Sequence, residues 1–229
     1  GSAETTLLNI TSAYASFING GKKINPTMIN KIQDRRGKII FNSNLNLCLG
    51  CDRYSEDSND FPKIKSQANQ IISKETAYQI TSILEGAVQR GTGKKLKDLD
   101  VPLAGKTGTT NENLDAWFIG FSSNLLVGVY IGYDKPKSLG KYETGSKAAL
   151  PIFKKFIKDA LYENEFKPFK APSGIYFAPI DYDNGSKRNF GDKNVIIEAF
   201  KTEDINNTVN NKLFLDKNYD KLIKYRQFY

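Results

Sequence analysis

Histidine is absent from this 229-residue chain, cysteine occurs twice, and no apolar run approaches the length of a membrane-spanning helix. Without imidazole there is no Ser-His-Asp triad, no histidine general base and no histidine-containing zinc site, so serine chemistry here would need a lysine base. The longest apolar stretch, residues 125–131, is far shorter than the roughly 20 residues a spanning helix requires. No signal peptide or anchor is expected within these residues, and Gly1-Ser2 is either native or left by cloning. Compact basic runs interleaved with aromatics are missing too. Although 33 Lys and Arg against 25 Asp and Glu give a formal charge of +8, which favours anionic surfaces, nucleic acid is not an expected partner. Neither a cofactor nor a metal is expected.

Cys48 and Cys51 stand in Cys-Leu-Gly-Cys. Three readings compete: a redox centre, half of a metal site, or a local disulfide. A structural zinc takes about four ligands, and neither a second cysteine pair nor a histidine exists to complete the set. A thioredoxin-type centre belongs at a helix N-terminus after a strand, whereas this pair lies among Asn, Asp and Ser. The favoured reading is a small loop closed by a disulfide between Cys48 and Cys51, in an oxidising compartment.

One substantial core is expected at this length, as one incomplete domain with a tail. Leu7, Ile10, Tyr14, Phe17 and Ile18 recur at helical spacing after Thr5 and Thr6, and Asn19-Gly20-Gly21 supplies the stop. Met28, Ile29, Ile32 and Ile39-Ile40-Phe41 around the turn-forming Asp34-Arg35-Arg36-Gly37 predict a hairpin. Residues 42–70 read as a polar loop carrying the cysteines. A second helix is predicted from the N-cap Ser73 through Tyr78, Ile80, Ile83, Leu84, Ala87 and Val88 to a stop at Gly91-Thr92-Gly93. Apolar segments at 101–110, 115–121 and 125–133, with Ser122-Ser123-Asn124 as a tight connection, predict an antiparallel meander. A third helix over 147–162 places Leu150, Phe153, Phe156, Ile157 and Leu161 on one face. Segments 175–180 and 195–200, with Asp183-Asn184-Gly185 as a turn, predict a small β-rich appendage, and 213–229 form either a basic amphipathic helix or a mobile tail. The expected fold is α/β of the α+β kind: an antiparallel sheet flanked by helices over 1–166, with the appendage and tail over 167–229.

The chemistry concentrates in Lys106-Thr107-Gly108-Thr109-Thr110, behind the strand-like Val101-Pro102-Leu103-Ala104-Gly105. On a strand edge, Lys106 supplies a cation able to polarise a neighbouring serine hydroxyl. Gly108 lets another backbone approach where a Cβ would obstruct it, and the hydroxyls of Thr107 and Thr109 can donate to a carboxylate. A peptide ending in a free carboxylate can thus add along this edge, with main-chain hydrogen bonds giving affinity. The bland alternative is a turn-proximal strand with a solvated lysine.

Context carries the triplet further. Gly91-Thr92-Gly93, Ala104-Gly105-Lys106-Thr107-Gly108-Thr109-Thr110-Asn111, Asp115-Ala116-Trp117-Phe118-Ile119-Gly120, Val129-Tyr130-Ile131-Gly132-Tyr133-Asp134 and Ala149-Leu150-Pro151-Ile152-Phe153 follow in that order. With Ala13-Tyr14-Ala15 and Asn19-Gly20-Gly21 near the start, the chain to about Phe200 resembles the C-terminal part of the transpeptidase domain of class A penicillin-binding proteins. That resemblance implies a penicillin-binding transpeptidase/β-lactamase-like fold, with Lys106 to Thr110 on the edge of a five-stranded antiparallel sheet. It implies a bifunctional cell-wall enzyme at the periplasmic face of the bacterial inner membrane: an N-terminal membrane anchor, a peptidoglycan glycosyltransferase, and a D,D-transpeptidase whose serine attacks D-Ala-D-Ala. Its partners would be peptidoglycan stem peptides and β-lactams. Lys106 is the catalytic candidate, Thr107, Gly108, Thr109 and Thr110 the substrate-binding ones, and the Thr110 amide a member of the oxyanion hole.

The family pattern is incomplete. Such enzymes also need Ser-x-x-Lys and a second serine motif. Ser16-Phe17-Ile18-Asn19 fails at its last position, and Ser58-Asn59-Asp60 and Ser66-Gln67-Ala68-Asn69 do not make the second motif. The expectation is a truncated transpeptidase that is inactive alone, with apolar surface bared by the missing helix and a homodimer forming across that gap. β-Lactams would attach covalently only through the missing serine. Two other functions share the triplet: a serine β-lactamase, whose chains end sooner after the last helix, and a penicillin sensor or wall-peptide-binding module without turnover. Arg90 and Thr92 are candidates for the rim of the cleft. Asp115 and Trp117 are read as packing residues rather than substrate contacts, and Glu112 with Asp115 is discounted as a glycosidase pair.

Overall fold

The computed structural model describes residues 4–43, 46–49, 63–66, 68–160 and 167–207. Helix α1 (Leu7–Ile18) begins where Thr6, held extended, accepts the Asn9 N–H on its hydroxyl at 3.1 Å, satisfying one of the donors a first helical turn leaves open. Beyond it, an excursion leaves at Lys22 and rejoins its start at Gln70, the two bridged antiparallel. The Lys23 N–H donates to Asn69 O at 2.8 Å, the Ile71 N–H to Gly21 O at 2.9 Å, and the Gln70 side-chain amide to Gly20 O at 2.7 Å.

The predicted hairpin stands on this excursion as the antiparallel pair β1 (Lys31–Gln33) and β2 (Ile39–Asn42). Its turn is organised by the Asp34 carboxylate, which accepts the N–H groups of Arg36 and Lys38 at 2.8 and 2.9 Å. The stretch expected to be loop over 42–70 instead holds a second antiparallel strand pair, β3 (Asn46–Leu49) and β4 (Lys63–Ser66). Asn-Leu-Cys-Leu and Lys-Ile-Lys-Ser do alternate, but four residues give a weak period-two signal against polar surroundings. Cys48 lies in β3 and Cys51 lies outside the described residues, as do Leu161 and the whole of 213–229.

Helix α2 (Lys74–Gln89) is capped by Ser73, whose hydroxyl accepts the Thr76 N–H at 3.1 Å. The N–H groups of Gly91 and Gly93 both donate to Ala87 O, at 3.1 and 2.9 Å, wrapping the chain around the helix end and supplying a partner for an orphan carbonyl. The meander follows as β5 (Ala104–Thr109), β6 (Ala116–Phe121) and β7 (Leu126–Ile131), antiparallel in that order with β5 at the edge. Among the described residues this sheet has three strands rather than five.

Strand alternation sorts the sheet into two faces. Phe118 faces α3 (Ala149–Ala160), packing against Leu150, Phe153 and Ile157, and the Phe118 and Phe153 ring centroids lie 4.8 Å apart. Phe156, expected on the same face, is 48% exposed, because at 3.6 residues per turn it lies about 90° from the centre of that stripe. On the opposite face Ala104 and Phe121 meet Leu84 of α2 and Tyr14, Phe17 and Ile18 of α1.

The predicted C-terminal hairpin forms as β8 (Ile175–Asp181) and β9 (Val195–Lys201), followed by a short α4 (Thr202–Asn207). It lies against α2 on the side away from the sheet. Tyr78 meets Phe177 edge-on at 6.1 Å, the Gln79 amide donates to Ala199 O at 3.1 Å, and Arg90 pairs with Glu198 at 2.8 Å. Helix α2 is therefore buried on two sides, which explains why Ala77, Tyr78, Thr81, Ser82, Leu84, Gly86 and Val88 are all buried.

Candidate active site

Lys106 and Gly108 share a face of β5 with the side chains they pair with on β6, Ile119 and Trp117, and Trp117 pairs onward with Tyr130 of β7. Main-chain polarity follows from the turn. The Thr110 N–H donates to Asp115 O at 3.1 Å, so by antiparallel alternation Gly108 and Lys106 also bond to β6, while the N–H and C=O groups of Thr107 and Thr109 face the open edge. The Lys106 ammonium curls onto that edge and donates to Thr107 O at 2.8 Å. A cation and outward-turned strand groups therefore coincide.

The two threonine hydroxyls next to this edge are each held by a loop. Thr107 Oγ1 lies 2.9 Å from Thr92 Oγ1, which the Gly91 and Gly93 contacts at the end of α2 carry to the triplet. Thr109 Oγ1 accepts the Gly145 N–H at 3.0 Å, leaving its own proton free to be donated elsewhere. Gly145 sits so close to the sheet that a Cβ there would collide with the carbonyl oxygens of Gly108 and Trp117. Nothing in the local sequence Thr-Gly-Ser marks that requirement.

Thr110 plays a different part from the one the resemblance implies. Its N–H is spent on Asp115 O, its hydroxyl accepts the Asp115 N–H at 2.7 Å, and the same hydroxyl donates to Asp115 Oδ2 at 3.3 Å. It closes the loop before β6, in which Glu112 and Asn113 take positive φ of 59° and 54°. The edge-facing amide is that of Thr109, one residue earlier.

Asp115 is a strut. Its Oδ1 accepts the Tyr130 hydroxyl at 2.8 Å, and this hydrogen bond, followed by desolvation, holds the Tyr130 phenol above its ordinary pKa. Trp117 and Tyr130 lie with ring centroids 4.5 Å apart. Arg90, a rim candidate, turns instead to Glu198 of β9. Glu112 is exposed and its backbone carbonyl accepts the Ser138 hydroxyl at 2.9 Å, so it forms no couple with Asp115.

Two serines of the described residues bear on the Ser-x-x-Lys pattern. Ser16 is buried and donates to Ala13 O at 2.7 Å. Ser138-Leu139-Gly140-Lys141 has the literal Ser-x-x-Lys spacing, which a search by motif order passes over. Ser138 lies in an exposed loop bonded to Glu112 O, while the Lys141 ammonium lies over the Tyr142 ring at 5.2 Å. Among the described residues no group of three metal-ligating side chains comes together, and no helix is long and apolar enough to cross a membrane.

An open strand edge carrying a lysine, two hydroxyls and a glycine has the geometry for an extended chain to add alongside it. Over residues 1–158 the sequence matches the penicillin binding protein transpeptidase domain, and the chain belongs to that family. It is 43% identical over 209 residues to penicillin-binding protein 1A of Rickettsia conorii, covering 90% of this chain and 26% of that protein. To penicillin-binding protein 1A of Pseudomonas aeruginosa it is 33% identical over 242 residues, covering 92% and 29%. Among solved structures it is similar to penicillin-binding protein 1A from Haemophilus influenzae, with a TM-score of 0.71 and 33% identity over 88% of this chain and 32% of that one. The chain spans between a quarter and a third of the length of these relatives.

Proposed function

We propose that this chain is the substrate-binding part of a serine-type D-Ala-D-Ala transpeptidase that cross-links peptidoglycan stem peptides and binds β-lactams. The observation that carries the reading is Lys106, Thr107 and Thr109 gathered on the open edge of β5. A stem peptide adds to this edge as an antiparallel strand, bonding the main-chain groups of Thr107 and Thr109, while the two hydroxyls and the Lys106 ammonium hold its terminal carboxylate. The Thr109 amide, turned to the same edge, takes the place in the oxyanion hole that the resemblance gives to Thr110. One such donor is worth about a hundred- to a thousandfold in rate.

The acylating serine and its lysine belong to sequence outside residues 1–229. So do the glycosyltransferase and the membrane anchor of a bifunctional synthase acting at the periplasmic face of the inner membrane. Family membership and the fraction of each relative that the chain spans support this division. Residues 1–229 alone hold peptide without turnover. Exposed Leu8 on α1 and Ile83 on α2, 61% and 64% accessible, supply the apolar surface for the homodimer. A monomeric mass in light scattering at high concentration would remove that part of the reading.

Fluorescent-penicillin labelling tests the central claim, with this chain run beside a longer one that includes upstream serine motifs. Labelling of the longer chain alone is the expected result. Labelling of residues 1–229 would place an acylating nucleophile within them and overturn the assignment.

A further inference from the structure

The two loops that hold the hydroxyls of the β5 edge both rest on α3. A 3-10 helix, Lys94–Leu99, starts directly after the Gly91-Thr92-Gly93 turn, with Gly93 as its cap. The Lys94 N–H donates to Gly91 O at 3.2 Å and the Leu96 N–H to Gly93 O at 2.9 Å, so this helix and the turn bearing Thr92 form one bonded unit. On its inner side Leu96 joins the core that holds Leu150 and Phe153 of α3. The second loop runs into α3 itself, where the Ala148 N–H donates to Thr144 O at 2.8 Å and the Leu150 N–H to Gly145 O at 2.9 Å.

Burial of Leu96 brings the short helix against α3 but does not orient it, because apolar contact is non-directional. Orientation needs a directed bond, and Lys154 supplies one. From one helical turn beyond Leu150, its ammonium donates to the Lys95 carbonyl at 2.8 Å and to the Asp98 carboxylate at 2.5 Å. The Lys154 side chain is 29% exposed and that of Asp98 67%, so solvent screens the ion pair, and the bond to the backbone carbonyl is the one that fixes geometry. Lys95 then reaches the other loop, donating to Ser146 O at 3.4 Å. Neighbouring Lys155 pairs with Asp159 of α3 itself, a contact that joins no second element.

We propose that Lys154 is a positioning residue for the β5 edge, fixing the rotation of the 94–99 helix and so setting the Thr92 hydroxyl against that of Thr107. With Thr92 Oγ1 held 2.9 Å from Thr107 Oγ1, Thr92 can donate to Thr107 and leave the Thr107 proton for a substrate carboxylate. That last consequence rests on the transpeptidase reading, whereas the placement of Thr92 by Lys154 does not.

The test has two arms. In the 229-residue chain, threonine-selective NMR couplings report the χ1 rotamer of Thr92, assigned through Thr92→Val. A single rotamer is expected in the parent and in Lys155→Met, and an averaged one in Lys154→Met, with Lys154→Gln as the second variant should Lys154→Met fail to fold by circular dichroism. In the longer, serine-bearing chain, Lys154→Met should slow penicillin acylation by roughly two- to tenfold, and Lys155→Met should leave it unchanged. Once Thr92 is valine, adding Lys154→Met should change the rate by less than about a factor of two, because both substitutions remove the same contact. Unchanged Thr92 couplings in the Lys154 variants would overturn the proposal, as would losses that multiply in the double variant or an equal loss in Lys155→Met. Averaged couplings together with a longer chain that penicillin never labels would instead remove the transpeptidase reading and leave the placement of Thr92 by Lys154 standing.

Discussion

Asp115 and Tyr130, fifteen residues apart, meet across the β6 and β7 strands at 2.8 Å. The contact depends on a third position, since a Cβ at Gly132 would strike both the Tyr130 hydroxyl and the Asp115 carboxylate. One carboxylate thus ties together the loop after the triplet through Thr110, the edge of the meander through Tyr130, and the aromatic pair that Tyr130 makes with Trp117.

A pH dependence follows from this strut. Tyr130 has its phenol pKa raised in the fold, first by the hydrogen bond to Asp115. A raised pKa means the folded state holds the proton more tightly than the unfolded chain. The associated stability is complete below the ordinary phenol value near 10 and is lost as pH rises through the folded value. Chemical denaturation between neutral and strongly alkaline pH should show this loss in the parent and a shallower one in Asp115→Asn. Equal slopes in the two proteins would mean the pair is not coupled.

Gly145→Ala should destabilise the protein by about 1–3 kcal/mol, because the added methyl meets two backbone carbonyls that cannot swing aside. Thermal unfolding measures it. The loop also carries the Gly145 N–H to Thr109, so penicillin acylation of the longer, serine-bearing chain should fall as well.

Thr92 should act on function more than on stability. Thr92→Val removes the hydroxyl beside Thr107, and loss of one neutral hydrogen bond predicts roughly a two- to tenfold slower acylation of the longer chain. Thr92→Ser should keep most of the rate. A Tm drop matching the rate loss in both variants would make Thr92 a folding residue only.

Acid acts on the hairpin of β8 and β9. The Arg188 side chain donates to Asp181 at 2.7 Å, and this, with the N–H groups of Asn184 and Asp183, holds the Asp181 carboxyl below the usual carboxylate range despite the opposing effect of burial. The stability from this group is present above the ordinary carboxylate pKa and is lost as pH falls through the depressed folded value. Arg188→Gln should move acid unfolding to higher pH. An unchanged acid midpoint would show that the pair contributes nothing to the β8 and β9 hairpin.

Local code made much of the fold legible. Thr6 and Ser73 cap the helices they were expected to start, and the three apolar segments around the triplet form the meander, because capping and hydrophobic period act within a few residues. The pairing of β3 with β4 is not legible locally, since four-residue strands carry little period-two signal. Phe156 is exposed because the apolar face of α3 is wider than the stripe that packs.

By itself, then, the sequence determined the helices, the meander and the presence of Lys106-Thr107-Gly108 on a strand, since these depend on residue type and short-range spacing. Only the tertiary structure decided which groups of that strand face the open edge, that Thr110 is spent on Asp115 while Thr109 is turned outward, and that Thr92 and Gly145 hold the two hydroxyls. Those outcomes depend on strand register and on contacts between residues 15 to 36 positions apart, which no local pattern encodes because they form only when helix ends and loops are brought to the sheet by the packing of the core.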